Sequence, residues 1–228
     1  MGRKSGSDVI DRYGKILNEN ALRLWEFNAL SEGLSRRIQV FQMAVALNKL
    51  IPKDKAIVVV GVGCFQIVGD MIGPVTARML KTVTDSITIY GDWKEKINSS
   101  TVNGVSAMLC EKHPNDFVIA IDASAGTPGI VRLDNRPIRP ASATGKNQGL
   151  ADIGDIAICG MTNRTVDGLL HMGYEPAIVE IPRFIVDAIW SYLYFFRKEK
   201  RYKMDMENEL SMLQKRRKEA LRKGWKIR

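Results

Sequence analysis

Apolar and polar residues follow two rhythms along this chain, and each rhythm predicts an element. Helical spacing runs around Val9 to Leu30 and again from Ser35 to Leu50, where Ile38, Phe41 and Val45 recur three and four residues apart until Pro52 stops the pattern. Ala56-Ile57-Val58-Val59-Val60 differs: a continuous β-branched run with charges before it and glycines after it predicts a strand buried on both faces. Beyond the loop Gly61 to Gly73, Pro74 suits the first turn of a helix expected over Val75 to Val83. Ile87 to Tyr90 reads as a strand, Ser99 to Lys112 as a helix, and Phe117 to Ile121 as a strand that delivers Asp122 at its tip. Such alternation calls for a parallel sheet with crossover helices.

The alternation then breaks. Gly129 to Leu133 predicts a strand that follows its predecessor through a tight Gly/Pro turn, so the sheet should be mixed. Residues 134–154 form a long, polar, glycine-bearing stretch of the kind that carries function. Asp155 to Cys159 is expected as a strand, Thr165 to Met172 as a short helix and Pro182 to about Tyr202 as a long one. The expected organisation is a helical segment over 1–54 packing on the core, an α/β domain over 55–196, and a tail over 197–228.

Composition narrows the class. With 228 residues, 45% of them hydrophobic, the chain can bury one substantial core and is neither collagen-like nor wholly disordered. Three cysteines, Cys64, Cys110 and Cys159, lie far apart in no C-x-x-C pair, which argues for reduced thiols rather than a disulfide framework or zinc ribbon. The first residues lack the apolar stretch of a secretory signal, and the richest apolar window, Ala177 to Phe196, is interrupted by Glu180, Pro182, Arg183 and Asp187. No membrane partner and a cytoplasmic location are therefore expected. The charge is concentrated: residues 197–228 hold 13 Lys or Arg against 5 Asp or Glu, +8 of the chain's +9. There, Met206, Leu210, Leu213 and Leu221 would share one side of a helix, beside the cationic cluster Lys215-Arg216-Arg217-Lys218. The favoured reading is an amphipathic helix resting on the domain or on a sister subunit of a homo-oligomer. Salt-sensitive contact with nucleic acid or an acidic partner is the alternative, with Trp225 available to stack on a base.

The chemistry centres on the loop from Gly61 to Pro74, which leaves a buried strand at the carboxyl edge of the sheet, where α/β proteins bind ligands. A dinucleotide fingerprint fails at Gln66, and a phosphate loop lacks its Gly-Lys-Ser/Thr ending. Cys64 sits where a helix N-terminus would lower a thiol's pKa, but His113 and His171 make poor candidates for its base. Asp70, just before the helix, would be favoured in its ionised form and could be merely a cap, as Asp122 could be merely a turn carboxylate. Brought to one edge by separate strands, however, the two acids would share a proton, letting one take a proton from water while the other gives one to a carbonyl oxygen or leaving group.

Four motifs occur in order: Val58-Val59-Val60-Gly61-Val62-Gly63 with Asp70-x-x-Gly73-Pro74; Ile121-Asp122-Ala123; Arg139 to Asn147; and Gly154-Asp155-Ile156-Ala157-Ile158. In these the chain resembles the germination endopeptidase of bacterial spores and, more closely, the related YyaC-type sporulation proteins, over about Lys55 to Phe195. The resemblance implies a three-layer α/β fold of the phosphorylase/hydrolase-like type, shared with the hydrogenase maturation peptidases, with a mostly parallel mixed sheet, added N-terminal helices and a basic C-terminal helix. It implies a protein or peptide substrate, catalytic roles for Asp70 and Asp122, substrate-binding positions at Gly63, Gly73, Ser142, Gly145, Asn147 and Asn163, and a place in the forespore or spore interior. The maturation peptidases grip nickel with two acids and a histidine; Asn163 stands near the histidine position, so neither metal nor cofactor is expected. Ala141, Ala143 and Thr144 replace glycines of the relatives' loop, which implies a changed substrate. The competing reading is a non-catalytic binding or structural protein that keeps the scaffold and attaches through its tail.

Overall fold

The computed structural model describes residues 24–64, 68–140, 148–162, 165–166, 169–170 and 175–199, and no side chain between positions 163 and 177. Six strands, β1 (Leu24–Asn28), β2 (Ile57–Gly61), β3 (Thr88–Tyr90), β4 (Phe117–Ala125), β5 (Ile130–Asp134) and β6 (Ile156–Thr162), form one sheet in the order β1-β5-β6-β4-β2-β3. Only β5 runs against the others, so the sheet is mixed and mostly parallel. A separate hairpin pairs β7 (Thr165–Val166) with β8 (Leu169–Leu170). The helices are α1 (Gly33–Leu50), α2 (Ile72–Val83), α3 (Val102–Lys112) and α4 (Glu175–Phe196).

Strand periodicity divides the core into two layers around the sheet. Val59, Ile119, Ile121, Val131, Leu133 and Ile158 face α1, α2 and α4. Val58, Val60, Ala120 and Ala157 face Val102 and Leu109 of α3, with Ile138 and Ile153 beside them. β2 is buried at all five positions, which is why it needs an unbroken apolar run. On the first face α2 and α4 approach the sheet over Gly160, where a Cβ would lie 2.6 Å from Ile181 and 2.8 Å from Ile72.

Several elements differ from expectation. Leu24–Asn28, placed inside a helix by its spacing, is an edge strand: Trp25 and Phe27 turn inward while Glu26 and Asn28 stay exposed, because β5 offers an antiparallel partner. Thr165–Val166 and Leu169–Leu170 are antiparallel strands rather than parts of a helix, consistent with the Asp-Gly pair that the sequence places between a β-branched and an apolar dipeptide. β4 continues three residues past Asp122. α4 begins before Pro182 and carries that proline internally, its lost hydrogen bond offset by the buried Ile181, Phe184, Ile185 and Ile189. It ends at Phe196, short of the expected Tyr202: the Glu199 N–H returns to the Leu193 carbonyl at 3.0 Å and Lys198 takes φ 58°. Among the described residues no helix is long and apolar enough to cross a membrane. The tail from position 200 lies outside the described residues.

Candidate active site

The site arises because β4 outruns β2. Gly61, the last residue of β2, pairs with Ile121, whereas Asp122 to Ala125 pair only with β6. The chain leaving β2 fills the vacated edge. The Val62 N–H donates to the Ile121 carbonyl at 2.7 Å, the Gly63 N–H to Ile97 at 2.7 Å, and the Cys64 N–H to the Asp70 carbonyl at 3.0 Å. A 3-10 turn, Val68–Asp70, then leads into α2, whose cap is Met71 rather than Asp70. Two glycines make the crossing this tight. A Cβ on Gly73 would strike the carbonyl oxygens of Val62 and Ile121, and one on Gly63, at φ 132°, would strike the Asp70 carbonyl.

This folding brings the two predicted acids within electrostatic reach of each other. Burial pushes the Asp70 carboxyl up to about 6, against the pull of the Cys64 N–H. The expectation that the helix end would favour its ionised form is therefore corrected: Met71 and not Asp70 caps α2, and burial raises the carboxyl more than the Cys64 N–H lowers it. Burial, and then the charge of Asp70, raise Asp122 well above the ordinary carboxylate range, with one opposing hydrogen bond from the Ala123 N–H at 2.7 Å. Asp122 retains some exposed surface, but its carboxyl is surrounded by protein, and that enclosure decides its protonation. The first proton to leave belongs to the pair, and the second leaves only at considerably higher pH.

Strand register adds neighbours that inspection of motifs overlooked. Asp122 pairs with Cys159, Cys159 with Arg132, and Arg132 with Glu26, so one row crosses four strands. Arg132 is fixed by Glu26 through Nε at 3.0 Å and NH2 at 2.7 Å. Burial first, then Asp122 and Asp134, push the Cys159 thiol up to about 12 against the pull of Arg132, so it remains protonated and inert. The only sequence signal for Arg132 was the period-two pattern of β5, with Ile130, Arg132 and Asp134 on one side.

Cys64 is buried in the exit loop. His113 does not serve it, being bonded to the Tyr90 hydroxyl at 2.9 Å and to Asp116 at 2.8 Å. Gly63 and Gly73 lie at the site and form its backbone framework; Ser142, Gly145, Asn147, Asn163 and His171 lie outside the described residues. The base of the loop bearing the first three is well defined. Ile138 and Ile153 exchange hydrogen bonds at 2.9 Å, Arg139 grips Asp152 with two bonds of 3.1 Å, and Asn103 of α3 holds Gly149 and Ala151 at 3.1 and 2.7 Å. On another side, β8 packs against the 3-10 turn and β4. Among the described residues no three His, Cys, Asp or Glu side chains cluster to hold a metal ion.

Comparison with known proteins gives three likenesses. The Bacillus subtilis (strain 168) protein "Uncharacterized protein YyaC" is 29% identical over 113 residues, 48% of this chain. The chain thus spans about half, 54%, of that relative's length. The crystal structure of the NiFe hydrogenase maturation protease HycI from Thermococcus kodakarensis KOD1 superposes with a TM-score of 0.44 at 20% identity, over 65% of this chain and 98% of that one. A family profile described as "Protein of unknown function (DUF1256)" matches residues 34–172, more than half of the chain and spanning α1 to β8, and the protein belongs to that family.

Proposed function

We propose that the protein is a peptide hydrolase in which Asp70 and Asp122 activate water without a required metal. The observation that carries this reading is the electrostatic coupling of the two acids: Asp122 is held protonated by its enclosure and by the charge of Asp70. A carboxyl that keeps its proton near neutrality is a general acid, and a neighbour that loses its proton near pH 6 is a general base above that pH. Asp70 would remove a proton from water as the water oxygen bonds to the peptide carbonyl carbon, and Asp122 would donate its proton to the carbonyl oxygen. As the tetrahedral intermediate collapses, the C–N bond breaks with the proton held by Asp70 passing to the departing amine, and one hydroxyl of the intermediate returns its proton to Asp122 as the carbonyl re-forms, which restores both acids. Position supports the same roles, since the pair sits at the carboxyl edge of the parallel strands, beside the β7–β8 hairpin.

The test is incubation with a proteome-derived peptide mixture across pH 5 to 8, with new termini read by mass spectrometry. Wild-type protein generates such termini, whereas Asp70→Asn and Asp122→Asn, folded by circular dichroism, do not. Undiminished cleavage by either variant, or none by the wild type, overturns the proposal.

A further inference from the structure

Among the described residues, the large apolar side chains left most exposed gather in one place. Leu34 is 72% exposed, Ile38 45%, Phe41 46%, Tyr194 50% and Phe195 58%, all on α1 or the last turn of α4. Leu34, Ile38 and Phe41 follow the spacing of one helix face, and Phe41 meets Phe195 edge-on at 5.6 Å, so the side chains form one continuous strip. A strip of this kind on an otherwise polar surface marks a contact. We infer that its occupant is the C-terminal segment of the same chain, residues 201–228, lying antiparallel to α1 with Met206, Leu210 and Leu213 against Phe41, Ile38 and Leu34.

Three observations select this occupant. First, the segment departs from the strip itself: α4 ends at Phe196, where the left-handed Lys198 and the Glu199-to-Leu193 hydrogen bond cap it. Arg197 fixes this end beside the C-terminus of α1 by donating to the carbonyls of Lys53 and Lys55, each at 2.7 Å. Second, the spacings agree. Leu34 to Phe41 and Met206 to Leu213 each cover seven residues, about 10 Å of helix, and the residues between Glu199 and Met206 are enough to make the turn. Third, the two ends carry complementary charge in this direction: Asp205 and Glu207 fall at the end of the strip where Lys198 stands, while Lys215-Arg216-Arg217-Lys218 falls towards Glu32 at the start of α1. Docking of this kind covers the strip and leaves the cationic cluster displayed at one end of the α1/α4 layer.

Hydroxyl-radical footprinting of the full chain, with Leu210→Asp and Leu213→Asp variants, tests the assignment at low and high protein concentration. The expected result is at least a threefold rise in modification of Phe41 and Phe195 in both variants at both concentrations. Modification of buried Phe27 stays unchanged and reports an intact fold. Equal modification in wild type and variants overturns the inference. So does wild-type protection that develops only at high concentration, which would assign the strip to a second copy of the chain.

Discussion

Two aspartates flank the end of β2 and meet opposite fates. Asp92 follows β3 and is only 4% exposed. Burial pushes its carboxyl up, but the Lys94 N–H, the Lys81 ammonium at 3.2 Å and the Glu95 N–H together outweigh that push and hold it below the ordinary value. Asp122, on the other side of β2, has one backbone donor and a like charge for company. Two differences separate them: the Asp122 carboxyl is the more deeply enclosed by protein, and it is the more poorly supplied with compensating donors. Asp92 is furnished as a structural anion, and Asp122 is left with a proton to give.

Substitutions sharpen this contrast, beginning with the largest effect. Asp122→Asn should reduce peptide cleavage at least about 1,000-fold, roughly 4 kcal/mol of barrier, without loss of fold; comparable turnover by the variant would make Asp122 as structural as Asp92. Asp92→Ala should do the reverse to stability, costing about 2–4 kcal/mol by urea denaturation, because it leaves the Lys94 and Glu95 N–H groups without their acceptor and removes the nearer of the two carboxylates that pair with Lys81. An unchanged midpoint would erase the distinction.

The pH dependence of stability has opposite signs at the two positions. A carboxyl raised in the folded state keeps a proton that the unfolded chain releases, so Asp122 makes the protein less stable as pH rises above about 4. Asn removes that slope, and Asp122→Asn should be more stable than wild type at pH 7, with the gain vanishing at low pH. Asp92, with its value depressed, contributes stability above the unfolded value and loses it as pH falls through the folded one, so Asp92→Asn should cost most at neutral pH and least in acid. Denaturation midpoints between pH 3 and 8 would separate the two slopes. The smallest effect concerns rate: cleavage should fall about tenfold per pH unit below the Asp70 value of about 6, and a flat acidic limb would remove Asp70 as base.

Much of this was legible in one sequence because some residues permit few structures. The β-branched run of β2 suits little besides a doubly buried strand, and Pro74 marks the start of α2. Asp122 was expected at the tip of its strand, but the small residues Ala123-Ser124-Ala125 concealed the continuation of β4 past it. Other features depended on partners. Leu24 to Asn28 becomes a strand because β5 accepts it, and the row from Asp122 to Glu26 exists only once four strands have found their register. The raised Asp70 was misjudged for the same reason, since enclosure by the exit loop is a tertiary property that a local helix-end argument does not contain.

The glycine crossing has a further consequence. Val62 lies at once against Ile121 and Gly73, so the backbone of each acid's neighbourhood is fastened to the other without an intervening hinge. In clefts formed between two mobile bodies, reactive groups assemble when the jaws shut. Here assembly is completed during folding, so the difference between a resting and a working molecule has to reside in what is admitted to the pair.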